Sequence, residues 1–222
     1  MMKIDINTTT GFYAERGGNG INVQGQDLRN YVFDDQWDDL QGTIHGNQGT
    51  GQSGLTYEEY RDTGFSIDFF RHDQSDTLNM AFQMPHTWDT TTSVWPHMHV
   101  LPMASGSGNV YFEYSYTWIS RNDVAPLSSS WTVGYSTTAF TPEDQFKHKI
   151  VSFVSDGLPP PVNAGASTIL FIRMTRLGDN SNDTYTTNKI GGGGLTAQAN
   201  LGVIAADLHY QKIRAGTNTQ FY

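Results

Sequence analysis

The segment that most constrains the fold is 109–119, NVYFEYSYTWI. Val110, Phe112, Tyr114, Tyr116 and Trp118 fall at every second position, with Glu113, Ser115 and Thr117 between them. A period of two with aromatic and β-branched residues on one side is the signature of a strand with one buried face. A chain holding such a strand must supply partners for its edges and a second layer for its apolar face.

The rest of the sequence supplies both. Segments 64–70 (GFSIDFF), 77–83 (TLNMAFQ), 95–101 (WPHMHVL), 130–136 (SWTVGYS), 148–154 (HKIVSFV), 168–175 (TILFIRMT) and 202–213 (GVIAADLHYQKI) read as further strands. Clusters rich in Gly, Pro, Asn and Asp separate them, at 105–109, 156–165 and 178–194. Helical periodicity is confined to short turns at 55–60 (LTYEEY) and 142–146 (PEDQF). Eight strands at this spacing predict an all-β fold, an eight-stranded antiparallel jelly-roll sandwich. An immunoglobulin-like sandwich is the runner-up, but the chain has no cysteine for the Cys…Trp…Cys pattern. Residues 1–30 show no sustained pattern and read as an extended arm, and 41–54, with five glycines, as a long polar loop. The expected division is an N-terminal arm over 1–36 and a jelly-roll domain over 37–222.

Charge and composition exclude several functions. Thirteen basic and 22 acidic residues leave a net charge of −9, and no basic patch offsets it, which disfavours a nucleic-acid partner. The absence of cysteine removes disulfides, thiolate metal sites and cysteine nucleophiles. No run reaches the roughly 18 apolar residues of a membrane span, and residues 1–10 lack the apolar stretch of a signal peptide, so the expectation is a protein made in a cytoplasm and away from membranes. GQSG at 51–54 lacks the frame of a nucleophile elbow, and Gly191–Gly194 lead into Leu-Thr rather than the Lys-Ser or Lys-Thr of a phosphate loop. Asp179, Ser181 and Asp183 imitate the start of a calcium loop, but its glycine and closing acid are missing, so a solvated polar loop is expected there.

Parity along the strands brings out a histidine constellation. His97 and His99 share a face opposite Met98 and Val100, and Asp207 and His209 lie opposite Ala206, Leu208 and Tyr210, with Ile204 grouped among the apolar set. With the eight strands lettered B to I, 95–101 is D, 202–213 is I, and His148 opens G. A jelly-roll sheet ordered B-I-D-G places outward residues of D and I about 5 Å apart. Two readings follow. His97, His99, His209 and Asp207 form a divalent metal site, with His148 beside it, or the histidines pack at a subunit interface; packing is the plainer reading, and a structural divalent metal is the one cofactor considered. A cupin-type enzyme is disfavoured, because 101–105 lacks the glutamate expected after a His-x-His strand. Carboxylates for glycoside hydrolysis are available in Asp34, Asp35, Asp38, Asp39, Glu58 and Glu59, although adjacent acids more often mark a solvated segment. Trp88, Trp131, Tyr135 and Tyr185 are candidates for stacking on sugars, against the plainer reading that they fill the core.

Three stretches, taken in order, resemble the single-domain jelly-roll structural proteins of tailed bacteriophages. They are 84–102 (MPHTWDTTTSVWPHMHVLP), the aromatic strand 109–119, and 207–222 (DLHYQKIRAGTNTQFY), with WDDL at 37–40 similar to the family's entry segment. The pattern departs at Val100 and Leu101, where a tryptophan often follows the second histidine. The resemblance implies a non-enzymatic virion component: a homotrimeric capsid decoration or head fibre, or else a tail or collar knob that binds host polysaccharide. Its implied partners are copies of itself and other virion proteins, such as the major capsid protein or tail and collar proteins. Strand 168–175 is apolar on both faces, so either the N-terminal arm or a neighbouring subunit is expected to cover its outside; on the subunit reading Ile169 and Phe171 lie at an oligomer interface, together with His97 and His99.

Overall fold

A computed structural model of the chain describes residues 3–7, 11–16, 19–23, 36–46, 53–127, 130–189 and 197–212. The body is an all-β sandwich of two sheets. Its strands are β4 (Gln36–Gln41), β5 (Thr43–Gly46), β6 (Ser53–Gly54), β7 (Thr56–Glu59), β8 (Ser66–Arg71), β9 (Ser75–Gln83), β10 (Trp95–Pro102), β11 (Gly108–Ile119), β12 (Thr132–Phe140), β13 (Lys149–Ser152), β14 (Ile169–Leu177) and β15 (Ala199–Lys212). One sheet runs β13-β10-β15-β8-β7, with β4 beside β15; the other runs β12-β11-β14-β9-β5, with β6 beside β9. In the lettering used above the principal strands are ordered G-D-I-B and F-E-H-C, a jelly-roll-like arrangement. All pairings in the sandwich are antiparallel except that of the two-residue β6.

Each of the eight expected strands is present, but the sandwich has eleven antiparallel strands rather than eight, because β4, β5 and β7 join the sheets. The helical turn expected at 55–60 is replaced by β7, where Glu58 lies opposite Ile67 and its buried carboxylate meets Lys189. Cross-strand pairing and that ion pair outweigh the local helix preference of the two glutamates. The loop expected at 41–54 contains β5 and β6. The turn expected near 142–146 appears as a 3₁₀ helix, Pro142–Asp144. Within the segment expected as an arm, β1 (Lys3–Asn7), β2 (Gly11–Arg16) and β3 (Asn19–Val23) form a three-stranded antiparallel sheet, paired to neither sheet of the sandwich among the described residues.

The core follows the period-two pattern. Phe70, Leu78, Phe82, Met98, Val100, Phe112, Ile172 and Leu208 are buried between the sheets, and Phe70 meets Phe112 edge to face at 5.5 Å. The two-sided strand β14 sends Leu170, Ile172, Met174 and Arg176 inward and leaves Ile169 and Phe171 half-buried on the outer face. A bulge in the β10–β15 pairing matches His99 with Ala205 and Val100 with Val203. It turns Val203 into the core and leaves Ile204 exposed, which corrects the placement of Ile204 among the core residues.

Arg176 is wholly buried and makes four hydrogen bonds. It donates twice to Asp183 (2.8 Å each), to Asn200 Oδ1 (2.6 Å) and to the Tyr185 carbonyl (2.9 Å). Asp183 also accepts the Tyr111 amide, so the polar loop after β14 is tied to β11 and β15. Asp183 is thus a buried structural acid rather than part of a solvated loop.

Candidate functional site

The outer face of the sheet containing β10 gathers histidines, carboxylates and indoles. On β10, Trp95, His97 and His99 point outward together, while Met98 and Val100 are buried. The antiparallel register sets His97 opposite Asp207 and Trp95 opposite His209 on one side, and His97 opposite Ser152 and His99 opposite Ile150 on the other. β4 then pairs with the second half of β15, setting Asp39 opposite His209. Four neighbouring strands therefore build one face, and the five residues His97, His99, His148, Asp207 and His209 come together as parity and strand order predict.

The contacts divide the face into two groups. His99 Nδ1 lies 2.6 Å from His148 Nε2, and His99 Nε2 lies 2.9 Å from Asp207 Oδ2. His209 Nε2 lies 2.9 Å from Asp39 Oδ1 and stands nearly half exposed. His97 sits between the groups, with ring centroids 5.0 Å from His99 and 4.5 Å from His209. It is buried, and its hydrogen-bonding contact among the described residues is a long one of 3.5 Å to the Trp95 carbonyl. Burial, reinforced by the neighbouring His209, holds the His97 imidazole below its ordinary pKa and so in the neutral form. His97, His99 and Asp207 bring their donor atoms within 4.8 Å of one another, a spacing compatible with a shared metal ion.

Beside the imidazoles lies an open cleft of about 380 Å³, walled by Trp37, Trp95, Pro96 and Ile150 and reaching His97 and His209. Trp37 is half exposed and meets Trp95 edge to face at 4.9 Å. Trp95 rests against Gly157, whose φ of +76° and close approach to the indole leave no room for a side chain. Its Nε1 donates to the Ser155 carbonyl at 3.4 Å. Two indoles set edge to face beside polar imidazoles give the cleft both an apolar wall and hydrogen-bonding groups.

Trp37 and Trp95 are members that sequence reasoning missed, and Asp39, considered there only among the carboxylates for glycoside hydrolysis, was not placed beside the histidines. Trp95 was within reach of the same parity rule, being two residues before His97. Trp37 and Asp39 required knowing that QWDDLQ forms a strand on the edge of β15.

The other candidates separate by burial. Trp88 and Tyr185 are buried, Trp88 stacked on Trp118 at 5.5 Å and Tyr185 bonded through its hydroxyl to Ala104, so neither can stack on a sugar; this corrects their placement in a glycan surface. Tyr135 is exposed and stacks on Tyr111 at 5.7 Å, and Trp131 lies under the Arg173 guanidinium at 5.7 Å. These two sit on the opposite sheet from the histidines. Among the carboxylates, Asp38 pairs with Lys212, Asp39 with His209 and Glu58 with Lys189, while Glu59 accepts the Gly64 amide; Asp34 and Asp35 lie outside the described residues, as do Gly191–Gly194. The Lys212 ammonium holds the Asp38 carboxyl below its ordinary pKa.

No family model matches the chain, and no curated protein does. Among solved structures it is similar to TmCBM27, a carbohydrate-binding module described for specific mannan recognition, at 8% identity and a TM-score of 0.34, over 80% of this chain and 99% of that one. It is also similar to TmCBM61, solved with beta-1,4-galactotriose, at 7% identity and a TM-score of 0.28, over 83% of this chain and 94% of that one. At TM-scores this low the likeness says nothing of a ligand for this chain.

Proposed function

We propose that this chain is a non-enzymatic structural protein of a tailed-bacteriophage virion, a jelly-roll homotrimer that decorates the particle exterior or forms a head-fibre element. One observation carries the reading: the described parts of the stretches that resemble that family fall on strands of the sandwich, two of them neighbours in one sheet. Residues 84–102 lead into and form β10, 109–119 lie within β11, and 207–212 complete β15, the neighbour of β10. Its work is binding free energy rather than chemistry. The half-buried outer row containing Ile169 and Phe171 offers an apolar surface to neighbouring subunits, and on this reading the separate β1–β3 sheet contacts adjacent chains. Immunogold labelling of intact particles tests it: gold over the head is the expected result. Unlabelled particles with the protein free in the lysate sink the virion reading.

A second reading, a tail or collar knob that binds host surface polysaccharide, is favoured by the Trp37–Trp95 cleft beside His97 and His209. Stacking on an exposed indole contributes a sequence-tolerant apolar contact to a sugar face. On this reading Trp37→Ala abolishes binding of purified host polysaccharide in calorimetry, and gold labels the tail. Wild-type protein that ignores that polysaccharide removes this reading.

A further inference from the structure

We propose that His97, His99 and Asp207 bind one divalent first-row transition-metal ion, zinc in the simplest case, on the outer face of the β10–β15 pair. The inference goes beyond the virion reading and does not depend on it.

The first support is placement by backbone rather than by loops. His97 and Asp207 are direct cross-strand partners, and His99 follows two residues along the same face. The three donor atoms converge within 4.8 Å without reordering of any loop.

The second is a pair of orphaned polar atoms. His99 Nε2 and Asp207 Oδ1 are shut off from solvent and have no hydrogen-bond partner. His99 Nε2 is 2.9 Å from Asp207 Oδ2, so distance is satisfied and alignment is not. Buried groups left in this way are costly and rare in native proteins. Two donors bound to a single ion at about 2.1 Å in tetrahedral geometry stand about 3.4 Å apart. The 2.9 Å between His99 Nε2 and Asp207 Oδ2 is within a small side-chain adjustment of that spacing.

The third is the tautomer of His99. If His148 Nε2 were the donor in the 2.6 Å contact, the remaining proton would sit on His99 Nε2 and point at no acceptor. With His99 Nδ1–H donating to His148 Nε2, His99 Nε2 keeps its lone pair beside Asp207. An outer partner that fixes a ligating imidazole in this way is a regular part of metal sites. His209 is excluded from the ligand set, because its Nε2 already faces Asp39 Oδ1 and the residue stands toward solvent. The four-residue set read from sequence therefore contracts to three. Two imidazoles and one carboxylate suit zinc, nickel, cobalt or iron over calcium and magnesium, and three protein ligands leave a position for water.

The test is titration of chelator-stripped, full-length protein with zinc chloride by calorimetry at pH 7.5, and with cobalt chloride by visible absorption. One equivalent of zinc and a cobalt d–d band are expected. His99→Ala and Asp207→Ala lose stoichiometric binding, whereas His209→Ala stays within about threefold of wild type. His148→Ala keeps the stoichiometry but weakens affinity about 10–100-fold. Wild-type protein that binds no equivalent of either metal overturns the proposal, as does a His209→Ala variant that fails as completely as Asp207→Ala. Should the ligand variants misfold, the wild type decides: a zinc-induced rise in Tm reversed by EDTA upholds the site, and no rise refutes it.

Discussion

Single residues hold this sandwich together at places where its sequence is polar. Arg176 and Asp183 are both fully buried, and each spends its hydrogen-bonding capacity on fixed partners. Removing one member strands a charge in the interior, a loss of about 3–5 kcal/mol, whereas replacing both with apolar residues costs less. Asp183→Ala is therefore expected to lose that much in denaturant unfolding, and the Arg176→Met/Asp183→Leu double variant to recover part of it. Asp144 gives a pH signature. It accepts from Lys149 Nζ (2.8 Å) and from the amide and hydroxyl of Thr141, chiefly the Lys149 bond holding its carboxyl down at about 2. A carboxyl with a depressed folded pKa stabilises fully above its unfolded value, here the ordinary 3.8, and that share disappears as pH falls toward about 2. Asp144→Asn removes it at every pH, so the stability gap between variant and wild type, followed by thermal melts, is expected to close through this window.

At the level of elements, legibility tracked apolar alternation. β11 and β14 announce themselves because every second residue is large and apolar, and parity there correctly separated Leu170 and Ile172 from Ile169 and Phe171. The same rule placed His97, His99, Asp207 and His209 on one face, because a strand leaves no third direction for a side chain. β4, β5 and β7 were invisible for the converse reason: QWDDLQ, TIHG and TYEE become strands only because finished edges of β15, β9 and β8 await them. The Trp37 wall of the cleft was hidden with β4. A single glycine makes that addition possible. Gly42 carries the chain from one sheet to the other, and any Cβ there collides with the Phe82 ring. Its amide also donates to the Ala206 carbonyl at 2.8 Å. Gly42→Ala is expected to cost about 1–3 kcal/mol through overpacking, read from the denaturation midpoint. An unchanged midpoint would show that the crossover has slack.

For the whole molecule, the two outer faces differ in what they offer. One bears imidazoles, carboxylates and indoles; the other bears the half-buried Ile169 and Phe171 row with exposed Val133 and Tyr135. If the second face joins subunits, light scattering will report an oligomer for the wild type and a monomer for Phe171→Asp, with the histidine face undisturbed. A monomeric wild type at micromolar concentration would remove the trimer from the proposed function. The first face has a mechanical property of its own. Gln36, the start of β4, is paired with Lys212, the end of β15, and the register then runs inward through Trp37, Asp38 and Asp39. Tension applied between these two ends would be borne by one rung at a time, as in a zip, rather than shared along the strand. The rung bearing Trp37 would open next after Gln36 and the one joining Asp39 to His209 two rungs later, so a pull on the chain would dismantle the cleft while the sandwich behind it stayed shut.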